Sequence, residues 1–409
     1  MKFIPILTTG LIIGVIGLTA CDRPQPQTIS SDSPASPNSS QPPATAAQEV
    51  AQTASCTLVE SGFGPQGRVS IRVEEVATGL EVPWGIAFLS DGDMLVTERP
   101  GRVRLVQNGN LRSQPVATIQ VTDSGEGGLL GIAAHPEIAS NRLFYVYYTA
   151  DVNESPMNRV ERWRLAQDGL SATRDRVILD NIPVALYHNG GRIRFGPDGM
   201  LYIGTGDARK PDISQDPSSL AGKILRVTPD GDVPADNPVA SSPVYISGIR
   251  NTQGFDWFNK STLWVTDHGP SGELGRSGHD KVSIARAGDN LGWPTIYRCE
   301  SGQGFVTPSL VWRQATPPGG AAVYTGDAIP EWKGSLMVAT LRSEHLHRIV
   351  FDPRSPQQVQ SHEVYLQGTQ GRLREAIMGP DGELYITTSN CDGRGSCPPA
   401  RDKILRVTR

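Results

Sequence analysis

One short pattern recurs along the chain and limits what it can fold into. "FGPDGMLYIGTGD" (195–207) and "MGPDGELYITTSN" (378–390) are near duplicates. "FLSDGDMLVTERPGRVRLV" (88–106), "WFNKSTLWVTDHG" (257–269) and "EWKGSLMVATLRS" (331–343) are looser copies, and "GKILRVTPDG" (222–231) returns as "DKILRVTR" (402–409). In each, apolar residues alternate with polar ones, as on a half-buried strand, and the strands are joined by Asp-Gly or Pro-Gly turns. Helical periodicity is weak throughout. Hairpins repeated over a chain of this length predict an all-β, six-bladed β-propeller with four-stranded blades over residues 56–409, at roughly 60 residues per blade. An irregular pair of β-sandwiches is the competing arrangement.

The first 55 residues do not share the pattern. "MKFIPILTTGLIIGVIGLTAC" places a lysine before an apolar run and small residues before Cys21, as in an export signal. The small residues resemble a bacterial lipobox. That resemblance implies a signal peptide over 1–20, cleavage before Cys21 and lipid attachment to it, anchoring the chain to a membrane surface without spanning it. Residues 21–55 are rich in Pro, Ser, Gln and Ala, too polar to bury a core. They are expected to form a tether averaging roughly 30–35 Å in span. Four further cysteines in an exported chain suggest disulfides. Cys391 and Cys397 flank "DGRGS" and are expected to close a small loop, leaving Cys56 to pair with Cys299. The formal net charge of −4 supplies no global positive field for nucleic acid.

Propeller loops commonly converge at one end of the central channel, and here they carry polar clusters. Glu126 sits in "SGEGGLLGIAAHP", and His188 and Asn189 precede the hairpin 193–204. Arg250, Asn251 and Gln253 sit in "GIRNTQGFDW"; "DHGPSG" (267–272) is a tight turn whose carbonyls suit a hard cation. Arg342 follows, then Arg372 and Arg374 on one face of a strand. Four arginines from three separate segments of the chain suit a polyanionic ligand, since guanidinium pairs with carboxylates through two hydrogen bonds. Any one of them alone reads equally well as a surface residue. His345 and His347 have a spacing open to metal ligation, without an evident third ligand. His135 reads as packing, and His279 and His362 as surface-loop residues.

Segments in a fixed order resemble the soluble pyrroloquinoline quinone (PQQ)-dependent aldose sugar dehydrogenases, the glucose/sorbosone dehydrogenase family. They are "VPWGIAF" (82–88), "GGLLGIAAHP" (127–136), "HNGGRIRFGPDGMLYIGTGDA" (188–208), "QDPSSLAGKILRVTPDG" (215–231), "IRNTQG" (249–254), "DHGP" (267–270), "NLGWP" (290–294) and "GRLREAIMGPDGELYITT" (371–388). The resemblance implies PQQ across the channel mouth, with His188 as the catalytic base and Arg250 and Asn251 beside the reactive quinone carbonyl. It implies calcium on the Gly269 and Pro270 carbonyls, and Arg342, Arg372 and Arg374 on the cofactor carboxylates. Asp207 and Gln253 occupy matching motif positions. The implied reaction oxidises an aldose at C1 to its lactone, with a hydride passed to PQQ. The implied partners are a small sugar and a separate electron acceptor of the quinone or cytochrome kind. With the export signal, the expected location is the bacterial cell envelope, in the periplasm or otherwise outside the cytoplasm.

The chain departs from that pattern at two places. Glu126 stands where relatives carry glutamine, and a bare negative charge beside a tricarboxylate is unfavourable unless it is protonated or paired with an arginine or calcium. Lys281 and Leu291 replace residues of the family's structural calcium site, which argues against a second ion. The insert "SGELGRSGH" (271–279) is expected to reshape the rim. Two other readings stay open at this point. One is a propeller that binds PQQ or sugar without turnover, suggested by Glu126. The other is a calcium-dependent lactonase-type hydrolase, which would want acidic ligands in place of the arginines.

Overall fold

The structure, a computed structural model, describes residues 56–409 apart from Asp91. The expected signal peptide, Cys21 and the tether lie outside the described residues. Six antiparallel sheets follow one another along the chain. Their inner strands are Pro83–Phe88, Leu129–Ala134, Ile193–Phe195, Gly254–Asn259, Pro318–Val323 and Leu373–Met378, and they line the channel as blades one to six. Four blades have four strands. The first has two short strands on its outer side, and the fourth gains Thr57–Val59, which runs parallel to Leu310–Trp312.

The duplicated hairpins fold alike to the level of single hydrogen bonds. Gly199 and Gly382 each adopt positive φ (77° and 79°) in the turn, a region that glycine enters without strain. Asp198 accepts the Met200 N–H at 3.1 Å and the Tyr202 hydroxyl at 2.9 Å; Asp381 accepts the Glu383 N–H at 3.2 Å and the Tyr385 hydroxyl at 2.8 Å. Tyr202 lies opposite Arg226 on the next strand, and Tyr385 opposite Arg406. The repeated "KILRV" is therefore the third strand of blades three and six.

The ring closes by pairing strand Arg72–Leu80, near the start of the described chain, with Asp402–Thr408 at its end. Apolar side chains fill the wedges between blades. Between blades four and five, Trp264 stacks on Phe351 with ring centroids 4.4 Å apart. Both expected disulfides form, Cys56–Cys299 and Cys391–Cys397. The first spans 243 residues, and closing a loop that long in the unfolded chain is worth about 5 kcal/mol in a chain-entropy account.

One sequence expectation is corrected. His362 is not on a surface loop; it lies on strand Ser355–Tyr365, its ring stacked on His347 at 5.3 Å. His345 Nε2 and His347 Nδ1 are 3.1 Å apart, and Phe63 and Trp312 pack on the pair. His345 and His347 are fully buried and stack with aromatic neighbours as part of the core, and among the described residues no group of three or more His, Cys, Asp or Glu side chains is placed to hold a metal. Burial drives His345 down to about 4 and lowers His347 and His362 as well. The unfolded chain therefore takes up protons below pH 6.5 that the folded chain refuses. Stability should fall as pH drops from about 6.5 toward about 4. Urea midpoints measured across that window should show the slope, and His347→Gln should flatten it; an unchanged slope would contradict this account.

Candidate functional site

The loops at one end of the channel enclose a cavity of about 380 Å³, within the range of small-molecule sites. Its lining includes six arginines (Arg99, Arg250, Arg342, Arg372, Arg374 and Arg394) against three carboxylates, Glu126, Asp280 and Asp392. Trp84 lies beneath, with the Arg192 and Arg374 guanidinium groups 4.6 and 5.6 Å from its ring centroid. Burial pulls the Arg374 guanidinium down to about 10, with Asp392 opposing the fall and Arg372 and Arg99 deepening it. The Arg250 Nη2 is buried with no hydrogen-bond partner. An anion would relieve both conditions.

A second cavity of about 370 Å³ shares Glu126, His188, Ser271 and Arg394 with the first and adds Tyr187, Asp207, Arg209, Pro211 and Glu273. His188 stands between the two. It is a non-glycine residue at φ 65°, held there by its neighbours. Its N–H donates to Glu126 Oε2 at 3.0 Å, and its carbonyl accepts the Ala208 N–H at 3.2 Å. Gly206 makes this approach possible, since a Cβ there would lie 2.0 Å from the His188 carbonyl oxygen.

The imidazole is fixed from behind. Asp207 Oδ1 lies 2.7 Å from His188 Nδ1 and accepts the Arg209 N–H at 2.8 Å; Oδ2 accepts the Trp293 indole N–H at 2.8 Å. Asp207 is fully buried and acceptor-only when ionised, so it holds the proton on Nδ1. Nε2 is left as the acceptor, on a side chain that lines both cavities. Trp293, in "NLGWP", is thus what aims Asp207.

The other expected residues are distributed as follows. Gln253 lines the cavity and accepts from Arg374 Nη1 at 2.7 Å. Arg372 donates from Nε and Nη2 to Asp392 Oδ2 at 3.1 and 2.8 Å. Arg342 is exposed on the rim. Asn251 does not line the cavity; it is buried, and its Oδ1 accepts the Gly190 N–H at 2.9 Å beneath the histidine loop. Gly269 and Pro270 line the cavity in a turn pinned by Asp280, which accepts the Gly269 N–H at 2.9 Å and the Thr316 N–H at 2.7 Å. A Cβ at position 269 would lie 2.0 Å from the Gly278 carbonyl oxygen, so only glycine fits.

The two departures find partners. Glu126 is not a bare charge: its Oε1 accepts from Arg394 Nη1 at 2.9 Å. Burial pushes its carboxyl up, but the His188 N–H, His268 and Arg394 outweigh this and hold it below the usual carboxylate range. Lys281 is buried with its Nζ 3.4 Å from Asp267, whose carboxylate accepts the Arg250 and Asn251 N–H groups. A fixed ammonium thus supports the strand end that presents Arg250. In the insert, Glu273 pairs with Arg250 Nε. Sequence reasoning missed Trp84, Arg99, Glu273, Asp280, Asp392 and Arg394. Trp84 lay within "VPWGIAF", Glu273 within the irregular insert, and Asp392 and Arg394 between cysteines already expected to close a loop, but none of these signals said where a side chain would reach.

A ring of six sheets whose mouth sets a histidine–aspartate pair beside clustered arginines defines a propeller with a charged, small-molecule-sized cavity at one end of its channel. The chain belongs to the glucose/sorbosone dehydrogenase family, whose sequence pattern matches residues 80–405. It is 29% identical over 350 residues to the aldose sugar dehydrogenase YliI of Escherichia coli, covering 79% of this chain and 91% of that one. Among solved structures it is similar to a Thermus thermophilus putative oxidoreductase (glucose dehydrogenase), at 43% identity and TM-score 0.75, covering 83% of this chain and 100% of the other. It is also similar to the PQQ-bound form of aldose sugar dehydrogenase from Streptomyces coelicolor, at 36% identity and TM-score 0.75, covering 84% and 99%.

The Lys281–Asp267 pair gives a test of this framework. Lys281→Met leaves Asp267 buried without its countercharge and should cost about 3 kcal/mol of stability. Urea unfolding measures it; a loss under about 1 kcal/mol would show that the pair does not support the site.

Proposed function

We propose that the protein is a PQQ-dependent oxidoreductase that oxidises aldose sugars at C1 to lactones. The observation that carries this reading is the His188–Asp207 pair facing a cavity with six arginines and three carboxylates. Such a lining suits a flat tricarboxylate, and relatives in the family are named as sugar dehydrogenases, one of them in PQQ-bound form. PQQ when bound supplies a quinone that accepts the hydride leaving C1, and calcium on the Gly269 and Pro270 carbonyls would aid it as an electrophile.

The chain's own residues do the rest. Arg342, Arg372 and Arg374 hold carboxylates, with Gln253 and Asp392 keeping the inner pair in place. Arg250, with its unpaired Nη2, offers a donor to a developing negative charge. His188 Nε2 takes the proton from the anomeric hydroxyl as general base. Asp207 holds the tautomer and stabilises the imidazolium. Glu126, acceptor-only, lies where a neighbouring sugar hydroxyl can donate to it. Its pairing with Arg394 supports an active enzyme over an inactive binding propeller, and the arginine excess disfavours the lactonase reading. We further propose that Cys21 is lipidated and that residues 22–55 tether the propeller to a membrane surface outside the cytoplasm.

The protein supplied with PQQ and Ca²⁺ should reduce a redox dye in the presence of aldoses. His188→Ala should lower kcat/KM by about 10²–10⁴-fold, the usual contribution of a general base. Turnover that ignores PQQ, or survives the substitution, would refute the reading.

A further inference from the structure

The loop closed by Cys391–Cys397 reaches over the site, and its charges touch both halves of it. On one side, Asp392 Oδ2 accepts from Arg372 and lies 3.5 Å from Arg374 Nη2. On the other, Arg394 donates to Glu126, and its guanidinium lies 5.4 Å from the Tyr187 ring centroid. The loop is held close. Asp402 accepts the Asn390 and Cys391 N–H groups at 2.6 and 3.1 Å, and Asp392 Oδ1 accepts the Arg394 N–H at 2.9 Å. Gly395 packs so tightly that a Cβ there would lie 2.6 Å from Arg372 Cδ and 2.8 Å from the Asn390 carbonyl oxygen.

We propose that Arg394 is a positioning residue for His188, holding the Glu126 carboxylate against the His188 backbone and cancelling its charge beside the base. This rests on the reading of His188 as the base. An unbroken set of contacts runs from Arg372 through Asp392, Arg394 and Glu126 to His188, then through Asp207 to Trp293. Arg394 and Glu126 are 268 residues apart in sequence, on loops of the sixth and second blades, while His188 belongs to the third. Three blades therefore meet at one carboxylate. The left-handed backbone of His188 needs an outside tie, and Glu126 Oε2 supplies it. A carboxylate carries a charge that a glutamine there would not. Arg394 is its only ion-pair partner among the described residues, and Glu126 is the only one for Arg394.

The charged and titratable groups gathered around the imidazole are Asp207 behind it, Glu126 and Arg394 on the rim, Tyr187, Arg209 and Glu273 in the outer cavity, and Arg250 and His268 in the inner one, whose lining also carries Asp280, Asp392 and the other arginines. Only the Glu126–Arg394 pair is altered in the test. Arg394→Gln leaves an uncompensated negative charge near His188. Glu126→Gln leaves an uncompensated positive one. The double variant restores neutrality. The imidazole titration of His188 is followed by NMR in the cofactor-free protein at low ionic strength, with the signal assigned by His188→Gln. The acid limb of kcat/KM is followed in the PQQ-loaded protein.

The expected shifts are upward in pH for Arg394→Gln and downward for Glu126→Gln, each roughly half to one pH unit, with the double variant near wild type. Raising salt should shrink the shifts, because the Arg394 side chain is half exposed. Shifts of the same sign in both single variants, or none in either, would overturn the proposal, since damage to the loop alone predicts no sign reversal. If the wild-type protein shows no PQQ-dependent turnover, the proposed function fails, while the NMR titration still decides the role of Arg394.

Discussion

The site exists only because the ring closes. Six sheets direct their loops at one axis when the ring is held shut, and the last sheet does this by taking in a strand from early in the described chain. Here that strand is Arg72–Leu80, paired along Asp402–Thr408. Asp402 works on both sides of the seam. Its buried carboxylate accepts the Val82 N–H leading into the first blade, and the Asn390 and Cys391 N–H groups of the loop above the arginines. Asp280 opens the third strand of blade four in the same way and pins the Gly269–Pro270 turn. Buried aspartates at strand starts thus convert a ring of hairpins into a rigid mouth, each satisfying backbone donors that the channel would otherwise leave unpaired.

Charge is the second organising constraint. The mouth concentrates guanidinium groups in a chain that is net negative. Part of that charge is balanced by the protein itself: Asp392 with Arg372 and Arg374, Glu273 with Arg250, Glu126 with Arg394. The balance is incomplete, as the low-lying Arg374 and the partnerless Nη2 of Arg250 show. The protein thus pairs part of its own guanidinium charge and still leaves donors for an anionic ligand.

The hairpins, the blade number and the Cys391–Cys397 loop were legible in the sequence because each is written locally, in alternation, Asp-Gly turns and cysteine spacing, and Cys56–Cys299 followed as the pairing left over. The positions of His188 and Asp207 were legible too, at the entrance and the end of a repeated hairpin, while a role as base for His188 came only from the family resemblance. The partners of Glu126 and Arg250 were not legible. Arg394 and Glu273 lie in loops whose periodicity says nothing of where their side chains reach, and the contact between Glu126 and Arg394 crosses most of the chain. His362 was misplaced because its strand, "SPQQVQSHEVY", is an outer one whose polar residues mask the alternation.

Binding of a polyanionic quinone by the arginines of this mouth would bring the ring, the charges and the proposed chemistry together. Calorimetric titration of the protein with PQQ, beside the Arg372→Gln/Arg374→Gln variant, tests it most directly. The account requires saturable binding of one PQQ per chain, weakened at least about 100-fold when two charge-assisted contacts are removed. No binding to the wild-type protein, or equal binding to the variant, would contradict it.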